Sequence, residues 1–469
     1  MNKKIGVLLP FKDHFTRSKA GSASIWIKDF NKKSTYKKNI YVCGNTDNLK
    51  DLIEKKNYLN IKFSDSTFQS KNTLYIDEFI KLNLKHKFKL IEVHNRPSYV
   101  HRLIEKKINS KIVLIFHNNP LNLGGSKTVE ERNILIKKCE KLIFVSNWVK
   151  EKFFEGLNGK NNAKCIVIYP SIETLKKLPV KKNIISFVGK LNRSKGFHLF
   201  GNVIVKILNK YKNWKGIVVG DEPREKYNFK HKKLKYLGWI PYEKVLKYFS
   251  RSNITVVPSN WAEPFGRTSL EAGSRGNAVI ISNRGGLPET INSPVILKEV
   301  NPRCIYTEIE NLIKDKKLLN RLQIDSFNNP LHIISENSKI IDQDRRNIIY
   351  PAKKININKN TKLKILHIYN RAEKIGSRIY FISTGKKIEN GLVRLGHDVE
   401  GISDRDILSY NSNVVNFKNI KFLNSIVLKK TYYYKPDLVL LGHVNTINDQ
   451  TFESIKKFNK NIIISQWYE

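Results

Sequence analysis

The sequence predicts an α/β protein built on parallel sheets. Three observations carry this reading. Short apolar runs alternate with polar, helix-like stretches along most of the 469 residues. The chain opens with a strand, a Gly/Ser loop and a helix, the order of a mononucleotide-binding unit. A second α/β unit begins at Ile184, and the opening pattern recurs at Lys364.

Taken in order, Lys4–Pro10 (KIGVLLP) reads as a central strand. A polar loop through Gly21 and Ser22 follows, then a helix carrying Ile25, Trp26 and Phe30. Further strands are expected at 39–43, 90–93, 111–116, 141–145 and 165–168. Lys176–Asn183, charged and containing Pro179, reads as an interdomain linker. Beyond it, strands are expected at 184–188, 216–220, 253–258, 278–282 and 295–297. Val245–Phe249 reads as helix, and Ile305–Leu322 as helix-like. Pro351–Lys364 is polar, basic and of low complexity, as a linker is. After it come a strand at 364–368, a loop with Gly376, a helix over 379–395 and strands in HDVEGIS, KPDLVLLGHV and NIIISQWYE. The expected domains are 1–178, 179–350, a linker at 351–363, and 364–469.

Composition sets the classes. The apolar share of 40% supplies material for cores and excludes wholesale disorder. A net charge of +44 favours anionic partners, and the competing explanation is an A/T-rich coding bias toward Lys, Asn and Ile. Cys43, Cys139, Cys165 and Cys304 form no CxxC pair and read as scattered reduced thiols. The N-terminus enters a strand at once, and no run approaches the roughly 18 apolar residues of a membrane span. The expected location is cytoplasmic, with a peripheral position at the inner face of the membrane.

The stretch from Ser259 to Glu289 (SNWAEPFGRTSLEAGSRGNAVIISNRGGLPE) concentrates the chemistry. Pro264 disfavours helix at Glu263, so the helix starts later, near Gly266. Unpaired N–H groups at such a start suit phosphate oxygens, and Thr268 and Ser269 add hydroxyls. Glu263 and Glu271 bracket the loop and helix. Carboxylates repel phosphate, so their partners would be sugar hydroxyls. Taken singly, each glutamate is more simply a solvated residue. Similarly, Lys190, Arg193 and Lys195 in GKLNRSKG suit anionic oxygens or form a solvated turn.

Glu263 and Glu271, with seven residues between them, closely resemble the E-x7-E signature of retaining glycosyltransferases of family 4. SNRGGLPE resembles that family's GGxPE loop, and GKLNRSKG its GRLxxxKG motif, with Lys190 in the usual Arg position. HNRP, FHNNP and FVSNWVKEKF resemble its first-domain segments. The resemblance covers residues 1 to about 350. It implies the GT-B fold, two facing Rossmann-like domains with a nucleotide-sugar in the cleft. It further implies that 364–469 is an incomplete Rossmann-like α/β domain, like the first half of a second transferase.

By the same resemblance His117, Glu263 and Lys195 are the catalytic residues. Gly189, Lys190, Arg193, Gly238, Gly266, Arg267, Thr268 and Glu271 would bind the donor, with Glu271 on the ribose. Gly21, Ser22, His94, Asn95 and Arg96 would lie on the acceptor side. The implied activity is metal-independent, retaining transfer from a nucleoside diphosphate sugar to a glycan or glycolipid acceptor. Cell-envelope polysaccharide or lipopolysaccharide synthesis is the expected setting. No cofactor, metal or specific nucleic acid is expected, and contact with an anionic membrane is. Two alternatives stand beside this: another nucleotide-sugar enzyme of the same fold, such as an epimerase, and a non-catalytic binder of anionic surfaces or nucleic acid.

Overall fold

The computed structural model describes residues 4–64, 69–159, 162–351, 361–372, 383–409 and 419–468. The chain divides into two compact units, 1–350 and 351–469.

The first unit holds two parallel sheets. Seven strands form the first: β1 (Ile5–Leu8), β2 (Ile40–Gly44), β3 (Tyr58–Asn60), β4 (Leu90–His94), β5 (Lys111–Phe116), β6 (Lys141–Phe144) and β7 (Cys165–Val167). Their order is β3-β2-β1-β4-β5-β6-β7. The second sheet has β8 (Lys182–Val188), β9 (Lys215–Val219), β10 (Leu234–Tyr236), β11 (Ser252–Val257), β12 (Ala278–Ser282) and β13 (Val295–Leu297), ordered β10-β9-β8-β11-β12-β13. Most of these strands are buried along their length, because helices cover both faces of such sheets. In each sheet the order reverses once, at β1/β4 and at β8/β11. A crevice opens beyond the strand ends at such a reversal.

Helix Ser22–Lys33 shows how sequence sets packing. Ala23, Trp26, Ile27 and Phe30 recur at helical spacing and are all buried. The strand reading misses β3, a three-residue, half-buried edge strand. The helix-like stretch Ile305–Leu322 falls in two helices. Helices Pro302–Lys314 and Lys316–Asn328 meet at Asp315, whose side chain accepts the Leu318 N–H and caps the second. The expected linker at 176–183 ends earlier, since β8 begins at Lys182.

Helix Ile334–Ile349 returns to the first sheet and packs on helix Ser22–Lys33. Arg345 Nε and Nη2 donate to both oxygens of Glu92 on β4, at 2.7 and 2.8 Å. Its Nη1 donates to Asp342 (3.1 Å) and Ser34 Oγ (3.0 Å). All four residues are buried.

The second unit has β14 (Lys364–Tyr369), β15 (Asp398–Ser403), β16 (Leu438–Gly442) and β17 (Ile463–Trp467), all parallel, in the order β15-β14-β16-β17. That matches the run β2-β1-β4-β5 of the first sheet. A helix spans Thr384–Arg394. The expected loop at Gly376, the start of the helix expected from Ile379, and positions 352–360 of the linker lie outside the described residues. The four cysteines are free; Cys43, Cys139 and Cys165 are buried and Cys304 is partly exposed.

Removing one partner of the Glu92–Arg345 pair strands a buried charge. Arg345→Ala is expected to cost about 3–5 kcal/mol, read as a lower urea midpoint. Replacing both partners, with Glu92→Leu and Arg345→Met, recovers most of that loss.

Candidate active site

A cavity of about 240 Å³ lies where the strand ends of the two sheets of the first unit meet. Eight residues singled out from sequence line it: Ser22, His117, Gly189, Lys195, Glu263, Gly266, Arg267 and Thr268. They come from the loops and helix starts after β1, β5, β8 and β11.

The Lys195 and Glu263 side chains meet. Lys195 Nζ and Ser259 Oγ both donate to Glu263 Oε1 at 2.6 Å. The ammonium also lies 5.2 Å from the centre of the Trp261 ring. Glu263 is 5% exposed, so Lys195 supplies the charge that burial removes from water. Two glycines make this approach possible. Gly196 has φ +72°, and a Cβ there would lie 1.9 Å from the Pro258 carbonyl oxygen. Gly285 has φ +63° and would meet the Glu263 carbonyl oxygen at 2.1 Å. Between these contacts Asn260 N–H donates to Ser194 O, and Gly286 N–H to Glu263 O.

On the opposite wall His117 stands against His94, with Nδ1 of His94 2.9 Å from Nε2 of His117. The two rings share one proton along that line. Trp26 packs edge-on to both. Burial holds both imidazoles neutral: it pushes His117 down to about 3, with the Arg267 charge adding to it. His94 is held well below its ordinary value by burial, then by His117 and Arg345. His94 is fully buried, so it stands behind His117 rather than on the expected acceptor side. Asn95 and Arg96 shape the turn. Asn95 has φ +54° and its Oδ1 accepts the His117 N–H at 3.1 Å. Arg96 Nη1 donates to the Asn95 carbonyl at 2.9 Å.

Glu271 is buried, and it is not among the cavity-lining residues. Its Oε1 accepts from Arg267 Nε at 3.1 Å. Arg267 Nη2 reaches Asp29 Oδ2 (3.0 Å) and Tyr242 OH (3.1 Å). Burial pushes both carboxyls up, and the guanidinium opposes it. Lys190 and Arg193 are exposed and lie outside the cavity lining. Gly238 lies outside it too: its carbonyl accepts the Gly220 N–H, and the Trp239 indole N–H beside it donates to Ser18 O at 2.8 Å. Gly21 is held by its N–H to Asp13 Oδ1, an oxygen that also accepts from Ser24 Oγ.

Asp13 and Asp29 stand outside every motif of the sequence, and Glu289 lies in one, the GGLPE loop. Asp13 braces the Gly21 loop. Asp29 is the single acid of helix Ser22–Lys33, which is the one hint it leaves. Glu289, from GGLPE, takes the N–H groups of Asn147 (2.7 Å) and Trp148 (2.9 Å) and the hydroxyl of Tyr169 (3.0 Å). It thereby closes the start of helix Asn147–Phe154. GGLPE and FVSNWVKEKF are each distinctive in the sequence, and nothing in either marks their contact. Among the described residues no three His, Cys, Asp or Glu side chains cluster as metal ligands. No described helix is long and apolar enough to cross a membrane.

Residues 172–326 match the family model for glycosyl transferases group 1. The chain is 25% identical over 270 residues to the putative glycosyltransferase YtcC of Bacillus subtilis (strain 168), covering 50% of this chain and 66% of that one, just under two thirds. Among solved structures, Anabaena Alr3699/HepE in complex with UDP and glucose aligns with a TM-score of 0.58 at 16% identity, over 72% of this chain and 98% of that one. Sucrose-phosphate synthase from Thermosynechococcus elongatus aligns with a TM-score of 0.59 at 16% identity, over 74% and 99%. Parallel sheets meeting at their reversal points and these likenesses agree: the first unit has the GT-B fold, and its residues 172–326 match the glycosyl transferases group 1 model.

Proposed function

We propose that the first unit is a retaining, metal-independent glycosyltransferase of family 4, with residues 1–178 on the acceptor side and 179–350 on the donor side. It moves a sugar from a nucleoside diphosphate sugar to a glycan or lipid-linked acceptor, in cell-envelope polysaccharide or lipopolysaccharide synthesis. The observation that carries this is the convergence of Glu263, Lys195 and His117 on one cavity at the two sheet reversals.

In this reaction the bond from the sugar's anomeric carbon to the diphosphate breaks, and the acceptor oxygen bonds to the same face. The acceptor proton passes to the departing phosphate. Lys195 turns from Glu263 toward the diphosphate and stabilises the charge that develops there. Freed of its cation, Glu263 takes sugar hydroxyls, which supply the protons its oxygens need. A neutral His117 positions the sugar or acceptor hydroxyl without adding charge. Glu271 serves the ribose. The unit at 364–469 is proposed as the first half of a second transferase, supported by its strand order.

The charge supports a second feature, contact with an anionic membrane. Helix Ile420–Tyr434 has no acidic residue and exposes Phe422, Tyr432 and Tyr433 beside Lys421 and Lys429. Tyr432 also packs, tilted, against the exposed Phe458. Rings and lysines mixed in this way suit a lipid headgroup layer.

With UDP-, GDP- and ADP-sugars and no divalent metal, one donor is expected to bind and turn over. Glu263→Gln should lower turnover by about 10²-fold or more, and Glu271→Ala should weaken donor binding. No donor binding, together with polyanion binding that falls steeply with salt, would sink the transferase reading.

The His117 value lies below the ordinary 6.5, so the unfolded chain takes that proton first as pH falls. Its contribution to stability is therefore complete above about pH 6.5 and lost as pH falls toward 3. Urea midpoints measured across that window should fall with pH, and less steeply in His117→Asn.

Sedimentation with vesicles tests the membrane contact. Anionic vesicles should carry the protein down and neutral ones should not, with Lys421→Ala/Lys429→Ala weakening binding by about 1 kcal/mol per lysine.

A further inference from the structure

Every N–H of the Arg267 side chain except those on Nη1 has a partner. Nε donates to Glu271, and Nη2 to Asp29 and Tyr242. Nη1 is buried and has no hydrogen-bond partner. An unmet donor on a buried cation is costly, and Arg267 lines the cavity, where a ligand atom can meet it. The local charge says what kind of atom. Two carboxylates, Asp29 and Glu271, already face one guanidinium. A phosphate oxygen would add a third negative group. A hydroxyl fits better, since it accepts from Nη1 and donates to the Glu271 carboxylate.

Asp29 comes from the opposite lobe. Ser22, Trp26 and Asp29 fall at i, i+4 and i+7, on one face of helix Ser22–Lys33. Ser22 lines the cavity, Trp26 packs on the two imidazoles, and Asp29 holds the guanidinium. We propose that Asp29 completes the donor site from the acceptor-side lobe: it is a positioning residue that aims Arg267, whose Nη1 meets a ribose hydroxyl of the bound nucleotide. The inference rests on the transferase reading and revises one part of it. The nucleotide is recognised by both lobes, not by residues 179–350 alone.

The test is calorimetric titration of UDP, GDP and ADP into the full-length protein. One nucleotide is expected to bind the wild type, with affinity about tenfold lower in Asp29→Asn and largely restored in Asp29→Glu. Arg267→Lys should lose at least as much. The double variant should be no worse than Arg267→Lys alone, since Asp29 acts through that guanidinium. Lys28→Ala, which breaks the neighbouring cross-lobe pair with Glu243 at 2.8 Å, should bind as the wild type does. Unchanged affinity in Asp29→Asn, or full additivity with Arg267→Lys, overturns the proposal. So does an equal loss in Lys28→Ala, which would mark a general effect of lobe contact. If the wild type binds no nucleotide, the transferase reading fails first. Thermal midpoints of each variant separate lost binding from lost folding, with Asp29→Glu as the variant that keeps the charge.

Discussion

Glu92 is an acid in the middle strand of a parallel sheet, under 5% exposed, and no other residue of that sheet answers its charge. Its partner arrives 253 residues later, on a helix that has first passed through the second lobe. Burying a carboxylate at that depth is costly without such a partner. The chain must therefore come back, and helix Ile334–Ile349 must lie across the first lobe. Glu92 and His94 share a face of β4, two residues apart. The same guanidinium that satisfies Glu92 thus helps to keep His94 uncharged. Through the shared proton with His117, this constraint reaches the cavity wall.

The lobes are also joined by contacts at the cleft itself. Glu289 closes a helix start on the first lobe, the Ser146 hydroxyl donates to the Pro264 carbonyl, and Asp29 holds Arg267. Each contact uses a buried or half-buried polar group whose partner lies on the other lobe. A cleft built in this way is specified by hydrogen bonding as well as by apolar packing, since Phe265 and Leu270 are buried in the first lobe's core cluster. Small shifts between lobes then leave particular donors and acceptors unmet, which favours one closed arrangement over many.

Much of this was legible in the sequence, and the reason is physical. Strands buried on both faces must be continuously apolar, so KIVLIF or AVIIS announces itself. Residues at the ends of such strands are placed by topology, so His117, Gly189 and Glu263 could be assigned to one crevice. Contacts between distant segments leave no local pattern. Nothing beside Glu289 points to Asn147, and nothing beside Asp29 points to Arg267. The break at Asp315 is hidden for a related reason: Leu312, Leu319 and Leu322 are all buried in one core cluster, so the apolar spacing runs through it. A three-residue edge strand such as β3 is too short to show a period. The burial of His94 and Glu271 depends on what packs over them, which one segment's sequence does not state.

The distribution of the four cysteines has a practical side. Burial pushes the Cys139 thiol up to about 12 and Cys165 to about 11, and Cys43 further still. These three sit in the first lobe as inert packing atoms, since the thiolate is the reactive form. Cys304 alone is partly open, near the start of helix Pro302–Lys314 in the second lobe. The natural chain therefore carries one addressable thiol, on the lobe opposite Trp26 and Trp148. A fluorophore attached there would mark the second lobe without any engineered cysteine.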